Sequence, residues 1–460
     1  MYYNTDCFKA YDIRGELGKN IDGPVCYRIG RAFAKVLKTK TVVLGFDARL
    51  SSPELAEYTS RGLKDQGVEV LSIGLCGTEE IYWATTEFEA CGGIMITASH
   101  NPINYNGMKM VKDGSKPLET NTEFLKIKAL SGKDEKSFEK VKEKGIERDI
   151  SEVARKRYVA KIMSFFEEGH SHSLKVVVNS GNGAAGPTFL KIQEAIAEKS
   201  DSLEFIHLFN EPNGEFPNGI PNPILVENHA VTGEAIRHNG ADLGIAFDGD
   251  FDRCFFFDEA GNFVQGEYLV GLIAEVFLKT NNQEIIVHDP RVIWNTLETI
   301  KFNEGISKLS KTGHAFIKQA MRASGAIYGG EMSAHHYFRE FSYCDSGMIP
   351  WILILNLLSR KREKLSSLIR KRKILFPSSG EINFSIKDPE KAIRMVTKKY
   401  SQKIIKKDNI DGLSMEFSDW RFNLRSSNTE PVIRLNVESR GNQSLLKEKV
   451  KEIGSILMSS

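Results

Sequence analysis

Long apolar runs are missing from this chain. The longest, Met348 to Leu358, falls well short of the ~20 residues a bilayer-spanning helix needs, so it reads as a buried helix of a soluble protein. The opening residues, Met1-Tyr2-Tyr3-Asn4-Thr5-Asp6, lack a basic segment followed by an apolar one, so no secretory signal is expected. Cysteine is sparse and scattered, at positions 7, 26, 76, 91, 254 and 344, with no close pair at metal-site or redox spacing. Free thiols in a reducing cytoplasm are the expectation. Charge of one sign is also lacking, since 62 Lys and Arg stand against 60 Asp and Glu. Nothing therefore argues for a nucleic-acid partner or an anionic membrane. The basic stretch from Arg360 to Lys373 is local and reads as a solvated helix face. No Gly-x-Ser-x-Gly elbow surrounds any serine, and no His-Glu-x-x-His zinc motif occurs.

What is present is a repeated alternation of strands and helices. At 460 residues the chain has room for three or four domains. Strands are expected at Thr41–Phe46, Val68–Ile73 and Gly93–Ile96, with helices at Val25–Leu37, from Ser52 to about Gln66, and near Glu79–Phe88. Ser52 before Pro53 has the form of an N-cap with Pro at N1. Such alternation predicts a parallel sheet covered on both faces. A second alternation begins at Leu174–Val178, and its strand Leu243–Phe247 leads into Asp248-Gly249-Asp250-Phe251-Asp252-Arg253. A third is expected to open with a hairpin, Cys254–Phe257 and Phe263-Val264, and to end on Ala326-Ile327-Tyr328 before Gly329 to His336. After about Lys373 the pattern changes to antiparallel strands and two helices, a small α+β domain. The expected boundaries are 1–147, 148–254, 255–372 and 373–460.

Three times an apolar strand delivers a polar loop, and each loop has its own chemistry. Thr97-Ala98-Ser99-His100-Asn101-Pro102 places a serine at the C-terminal edge of a sheet, where open α/β sheets put their active sites. That serine suits a nucleophile or a phosphate carrier. His100 joins it as a positioning residue rather than a catalytic partner, because sequence neighbours usually point apart. Asp248, Asp250 and Asp252 alternate along an extended segment, and their mutual repulsion calls for a hard cation such as Mg²⁺ or Ca²⁺. They are not an EF-hand: Arg253 stands where the loop needs glycine, and Phe255-Phe256-Phe257 favours a strand. Arg425 to Thr429 offers a guanidinium, hydroxyls and an amide, a phosphate cradle in composition. A loop serine, a metal trio and a phosphate cradle together imply phosphoryl transfer. One rival stands beside this. Gly181-Asn182-Gly183-Ala184-Ala185-Gly186 matches the G-x-G-x-x-G fingerprint between a strand and a helix, which would make the chain an NAD-dependent oxidoreductase. A tight strand-to-helix turn explains the same residues more simply.

From end to end the chain resembles the α-D-phosphohexomutases, most closely their bacterial phosphomannomutase branch in GDP-mannose synthesis. The resemblance rests on Tyr11-Asp12-Ile13-Arg14-Gly15, Asp47-Ala48-Arg49, Thr97 to Pro102, Asp248 to Arg253, Gly330-Glu331-Met332-Ser333 and Arg425 to Pro431. It implies three related mixed-sheet α/β domains plus a smaller C-terminal α+β domain around a central cleft. It implies further that Ser99 carries the phosphate and shares one Mg²⁺ per chain with Asp248, Asp250 and Asp252. Lys109 falls on the family's general acid/base, and Arg14 and Arg253 on cleft positions near the phosphoserine. Glu331 and Ser333 would bind sugar hydroxyls, with His314 and Arg291 at sugar-cleft positions. Arg425, Ser427, Asn428 and Thr429 would grip the phosphate that is not being transferred. The implied substrate is a hexose phosphate, mannose 6-phosphate above all, converted through a 1,6-bisphosphate that also serves as activator; a dual-specificity phosphoglucomutase/phosphomannomutase is the alternative. Ala334 departs from the pattern, standing where many relatives have glycine.

Overall fold

The computed structural model describes residues 3–134, 138, 141–169, 173–426 and 432–459, which form two compact units. The first comprises the chain to Phe263 together with 340–362; the second comprises 264–339 and the chain from Glu363 onward.

The first unit holds two mixed sheets. In one, the strands Gly92–Ile96, Thr41–Phe46 and Glu69–Leu75 run parallel, Tyr105–Lys112 pairs antiparallel with Gly92–Ile96, and Ile13–Glu16 pairs antiparallel with Tyr105–Lys112. These central strands are apolar on both faces because helices cover both, which is why they lack a polar alternation. Helices Gly23–Leu37 and Ser52–Lys64 supply Ile29, Phe33, Leu55 and Leu63 to the core under one face. Ser52 does not cap its helix. Its hydroxyl donates to Asp47 Oδ1 at 2.6 Å instead, tying the helix start to the end of the strand Thr41–Phe46.

The second sheet runs Phe263–Val264, Cys254–Phe257, Leu243–Phe247, Leu174–Asn179, Leu203–Leu208. Its last three are parallel, and Cys254–Phe257 returns antiparallel. The strand Cys254–Phe257, expected to open a third unit, thus extends the second sheet, with Phe247 opposite Cys254. The aspartate loop is the connection of that pair. Helix Met348–Lys361 is buried from Met348 to Ser359, as its apolar run requires. Its Trp351 packs against Phe189 in a tilted arrangement with centroids 4.9 Å apart.

In the second unit, Ile285–His288 runs parallel to Ile306–Leu309 and Tyr328–Gly330, with His336–Phe338 antiparallel. The C-terminal sheet is wholly antiparallel, in the order Ser378–Ser385, Val432–Ser439, Trp420–Ser426, Leu413–Glu416, Lys406–Asp408. Helices Pro389–Lys399 and Gln443–Met458 pack Ala392, Val396, Leu446 and Ile453 into its core. Arg421, fully buried, donates to Glu438 at 2.7 Å and to the carbonyls of Arg291 and Pro290 at 3.0 and 2.8 Å.

His288 is 2% exposed, donates from Nδ1 to the Asp289 carbonyl and accepts at Nε2 from the Ser307 hydroxyl. Burial depresses it from 6.5 to about 4. The unfolded chain therefore takes up a proton that the folded chain refuses as pH falls from 6.5 to about 4, and stability drops over that window. Thermal melts at pH 7 and 5 should show a smaller loss in His288→Asn than in the unsubstituted chain.

Candidate active site

The candidate side chains fall into two groups, one in each unit. In the first, the strand Gly92–Ile96 ends and the chain turns through Ser99 in the left-handed region, at φ +50°. Non-glycine residues resist that conformation, and the surrounding bonds impose it. The Thr97 hydroxyl accepts from the Ser99 N–H at 2.8 Å. Arg49, buried and held at 3.6 Å from Asp47, donates to the carbonyls of Ser99, Asn101, Pro102 and Tyr105. One guanidinium thereby shapes the whole serine loop. Gly249 lets the aspartate loop lie against it: a Cβ there would stand 2.6 Å from the Ser99 carbonyl.

The turn aims the Ser99 hydroxyl at 2.9 Å from Asp248 Oδ2 and 3.0 Å from His100 Nδ1. Adjacent side chains usually diverge; here the positive φ brings serine and histidine together. Arg253 donates to Asp248 Oδ2 from Nε and Nη2, at 3.0 and 2.8 Å, and also to His100. Lys109 reaches Asp250 Oδ2 at 2.7 Å and Asp252 Oδ2. Arg14 stands on Asp12 at 3.0 Å and donates to the Asn101 side chain at 2.7 Å.

The electrostatics follow from burial. Asp248, Asp250 and Asp252 are all at most 2% exposed. Burial disfavours charge on Asp248 and Asp250, but Arg253 and His100 hold Asp248 well below the usual carboxylate range, and Lys109 lowers Asp250. Burial likewise works against charge on Lys109, and the aspartates more than offset it, so its ammonium is held protonated. Carboxylate oxygens of the three aspartates lie within 4.8 Å of one another, and Asp250 Oδ1 is buried with no hydrogen bond. An unpartnered buried oxygen in a cluster of hard donors fits Mg²⁺.

The glycine turn cannot serve a dinucleotide. Its amides are already used: Gly181 N–H on Asn179 Oδ1, Asn182 on the Phe209 carbonyl, Gly183 on Ser180 and Ala184 on Gly249. Gly186 lies against the Asn210 carbonyl, 1.7 Å from where a Cβ would be. These glycines let protein backbone approach, not pyrophosphate.

In the second unit the strand Tyr328–Gly330 delivers Glu331. Its oxygens accept from the Gly313 N–H at 2.8 Å, next to His314, and from the Tyr337 hydroxyl at 2.6 Å. Arg291 is clamped by Asp289, at 3.1 and 2.9 Å, and donates to Ser333 at 3.3 Å. Ala334 takes φ +68°, so the alanine occupies a conformation that glycine would adopt without strain. Arg425 pairs with Glu381 at 3.0 Å, while its Nε is buried without a partner. Glu381 also meets Arg291 and Arg434, at 3.5 and 3.3 Å. Ser427, Asn428 and Thr429 lie outside the described residues. Sequence reading assigned no role to Thr78, Asp289 or Glu381, and none to Arg49 beyond a motif match. All are bonded to residues it did select.

Four domain families match in succession: phosphoglucomutase/phosphomannomutase alpha/beta/alpha domains I, II and III at residues 5–137, 156–261 and 265–374, and the C-terminal domain at 381–454. A protein of Salmonella montevideo named phosphomannomutase is 50% identical over 99% of this chain and 100% of its own. Its namesake in Escherichia coli K12 is 49% identical over 98% of both chains. A Xanthomonas campestris protein named phosphohexose mutases is 48% identical, again over 98% of both. Among solved structures, a phosphoglucomutase/phosphomannomutase family protein of Burkholderia thailandensis superposes with TM-score 0.88 at 29% identity, covering 100% of this chain and 98% of that one.

Ser99→Ala and Ser99→Gly both lose the hydroxyl, but only alanine keeps a side chain at positive φ. The glycine variant should melt above the alanine variant, by the equivalent of about 1 kcal/mol; a thermal-shift comparison of the two checks this.

Proposed function

Because this chain belongs to the phosphoglucomutase/phosphomannomutase family, we propose that it is a phosphomannomutase, interconverting mannose 6-phosphate and mannose 1-phosphate and feeding GDP-mannose synthesis. The observation that carries this reading is the Ser99 hydroxyl 2.9 Å from Asp248, among buried carboxylates balanced by Lys109 and Arg253. In the working enzyme Ser99 is phosphorylated. The C1 hydroxyl of mannose 6-phosphate attacks that phosphorus, the bond from phosphorus to Ser99 Oγ breaks, and the Lys109 ammonium gives a proton to Oγ and takes the hydroxyl's proton in its place. The 1,6-bisphosphate so formed turns over and returns its 6-phosphate to Ser99, releasing mannose 1-phosphate. Added hexose 1,6-bisphosphate serves as activator by the same exchange.

Phosphoserine brings about −1.5 to −2 charge at neutral pH. Arg14, Arg253 and Lys109 offset part of it, and His100 orients the serine oxygen. Asp248, Asp250 and Asp252 would hold one Mg²⁺ together with the Ser99 phosphate. Bound there, the ion polarises the transferring phosphoryl group. Glu331, Ser333, Arg291 and His314 are assigned to the sugar hydroxyls. Arg425, with Ser427, Asn428 and Thr429, is assigned to the distal phosphate, which the unpartnered Arg425 Nε supports. The four domains are assigned in order to the phosphoserine, the metal, the sugar and the distal phosphate, at about 1–147, 148–254, 255–372 and 373–460. The strands Cys254–Phe257 and Phe263–Val264, which belong to the second sheet, support a second boundary beyond them. The scattered cysteines, all unpaired thiols, support a cytoplasmic location, and no described helix is long and apolar enough to cross a membrane.

The relatives named phosphohexose mutases favour a second reading, a dual-specificity phosphoglucomutase/phosphomannomutase. Turnover of mannose 6-phosphate and of glucose 1-phosphate, each with Mg²⁺ and a trace of the matching bisphosphate, separates the two. Mannose well above glucose is the expected result; comparable rates establish the dual enzyme, and no turnover of either overturns both. Ser99→Ala should lower turnover by roughly 10⁴-fold or more, as loss of a covalent nucleophile does. EDTA should stop the reaction and Mg²⁺ restore it, followed in the same assay; indifference to EDTA removes the metal site.

A further inference from the structure

The helix Thr78–Glu87 begins against the aspartate loop, and its first residue bonds Asp250 twice. The Thr78 N–H donates to the Asp250 carbonyl at 3.0 Å, and its hydroxyl donates to Asp250 Oδ2 at 2.5 Å. Neither residue is exposed to any extent. The same Oδ2 also takes the Lys109 ammonium at 2.7 Å, whereas Oδ1 is buried and bare. A carboxylate with one oxygen loaded twice and the other empty is oriented, since rotation about its last bond would exchange a satisfied atom for an unsatisfied one.

The residues flanking Thr78 are anchored. The Gly77 N–H donates to Glu80 Oε2 at 2.9 Å, and the other oxygen of Glu80 pairs with Arg155 at 2.7 Å. Fully buried Glu79 accepts from the Ser346 hydroxyl at 3.0 Å, the Met348 N–H at 3.2 Å, the Gly347 N–H and the Tyr158 hydroxyl. Gly77 packs so closely on Phe251 that a Cβ would come within 2.3 Å of its ring. The helix start and the aspartate loop therefore form one rigid piece, with the Thr78 hydroxyl fixed relative to Asp250.

We propose that Thr78 is a positioning residue that presents Asp250 Oδ1 to the divalent cation by holding Oδ2 turned away. The inference rests on the reading of the three aspartates as a cation site. Thr78 touches neither the ion nor the sugar; it acts through the carboxylate. Partners of metal ligands typically change affinity by about 10- to 100-fold when removed.

The test is Mn²⁺ binding to the full chain, followed by electron paramagnetic resonance without sugar phosphate, in the unsubstituted protein and in Thr78→Val and Thr78→Ser. Valine keeps the shape and the N–H bond and removes only the hydroxyl; serine keeps the hydroxyl. Thr78→Val should weaken Mn²⁺ by about 10-fold or more and raise the half-activating Mg²⁺ by a like factor, with KM for mannose 6-phosphate unchanged. Thr78→Ser should restore binding. A purely structural role would lower the melting temperature and leave the Mn²⁺ constant alone, and that result overturns the inference. Should the valine variant not fold, Thr78→Cys, with its weak donor, makes the same comparison: unchanged Mn²⁺ binding overturns the proposal and weakened binding supports it. If the unsubstituted protein binds no Mn²⁺, the aspartate site itself falls, and this inference with it.

Discussion

Three buried carboxylates must be kept ionised within a few ångströms of one another, and much of the first unit answers that constraint. Moving even one such charge out of water costs several kcal/mol after relaxation, roughly, and like charges add to it. Lys109 and Arg253 supply the balancing charge, on Asp250 and Asp252 and on Asp248 respectively. Arg253 comes from the aspartate loop itself, five residues past Asp248, whereas Lys109 is brought in from a distant part of the chain. Lys109 lies on the antiparallel strand beside Gly92–Ile96, so the strand order that carries Ser99 also delivers the ammonium.

The same unit stores local backbone strain at Ser99 and holds it with polar contacts. Arg49 gathers the carbonyls of the serine loop, Asp47 holds Arg49, and Ser52 in turn donates to Asp47. The second unit uses a similar device. Asp289 clamps Arg291 and accepts from the Met332 N–H at 2.9 Å, so the residue after one strand fixes the loop after its neighbour. In both units an acidic residue just past a strand end orients an arginine. The arginine is left with a fixed direction, Arg49 toward the carbonyls of the serine loop and Arg291 toward Ser333.

The glycine-rich turn at Gly181–Gly186 shows why a local pattern can mislead. Its spacing and its setting between strand and helix are those of a dinucleotide fingerprint. What decides its use is whether its amides point at solvent or at protein, and here Gly249 and Phe209 accept them. The glycines allow the aspartate loop to lie close, so the motif supports that loop.

Much of the architecture could be read from residue order alone. Apolar strands such as Thr41–Phe46 and Leu243–Phe247 are bounded sharply by polar loops, so their limits and their alternation with helices are set by local hydrophobicity. Ser99, the aspartates and Glu331 stand out for the same reason, as polar side chains directly after buried strands. Partners distant in sequence are not encoded locally. Thr78 and Asp250, Ser99 and Asp248, and Glu381 and Arg425 meet only because strand order and register carry them together. Nor could local pattern show that Cys254–Phe257 joins the second sheet, since a hairpin strand pairs equally well on either side in sequence. The types of chemistry were thus determined by the sequence itself, through burial and charge. Which oxygen faces which cation was decided only by the tertiary structure, because hydrogen bonds act over about 3 Å and contacts that short exist only once the chain has folded.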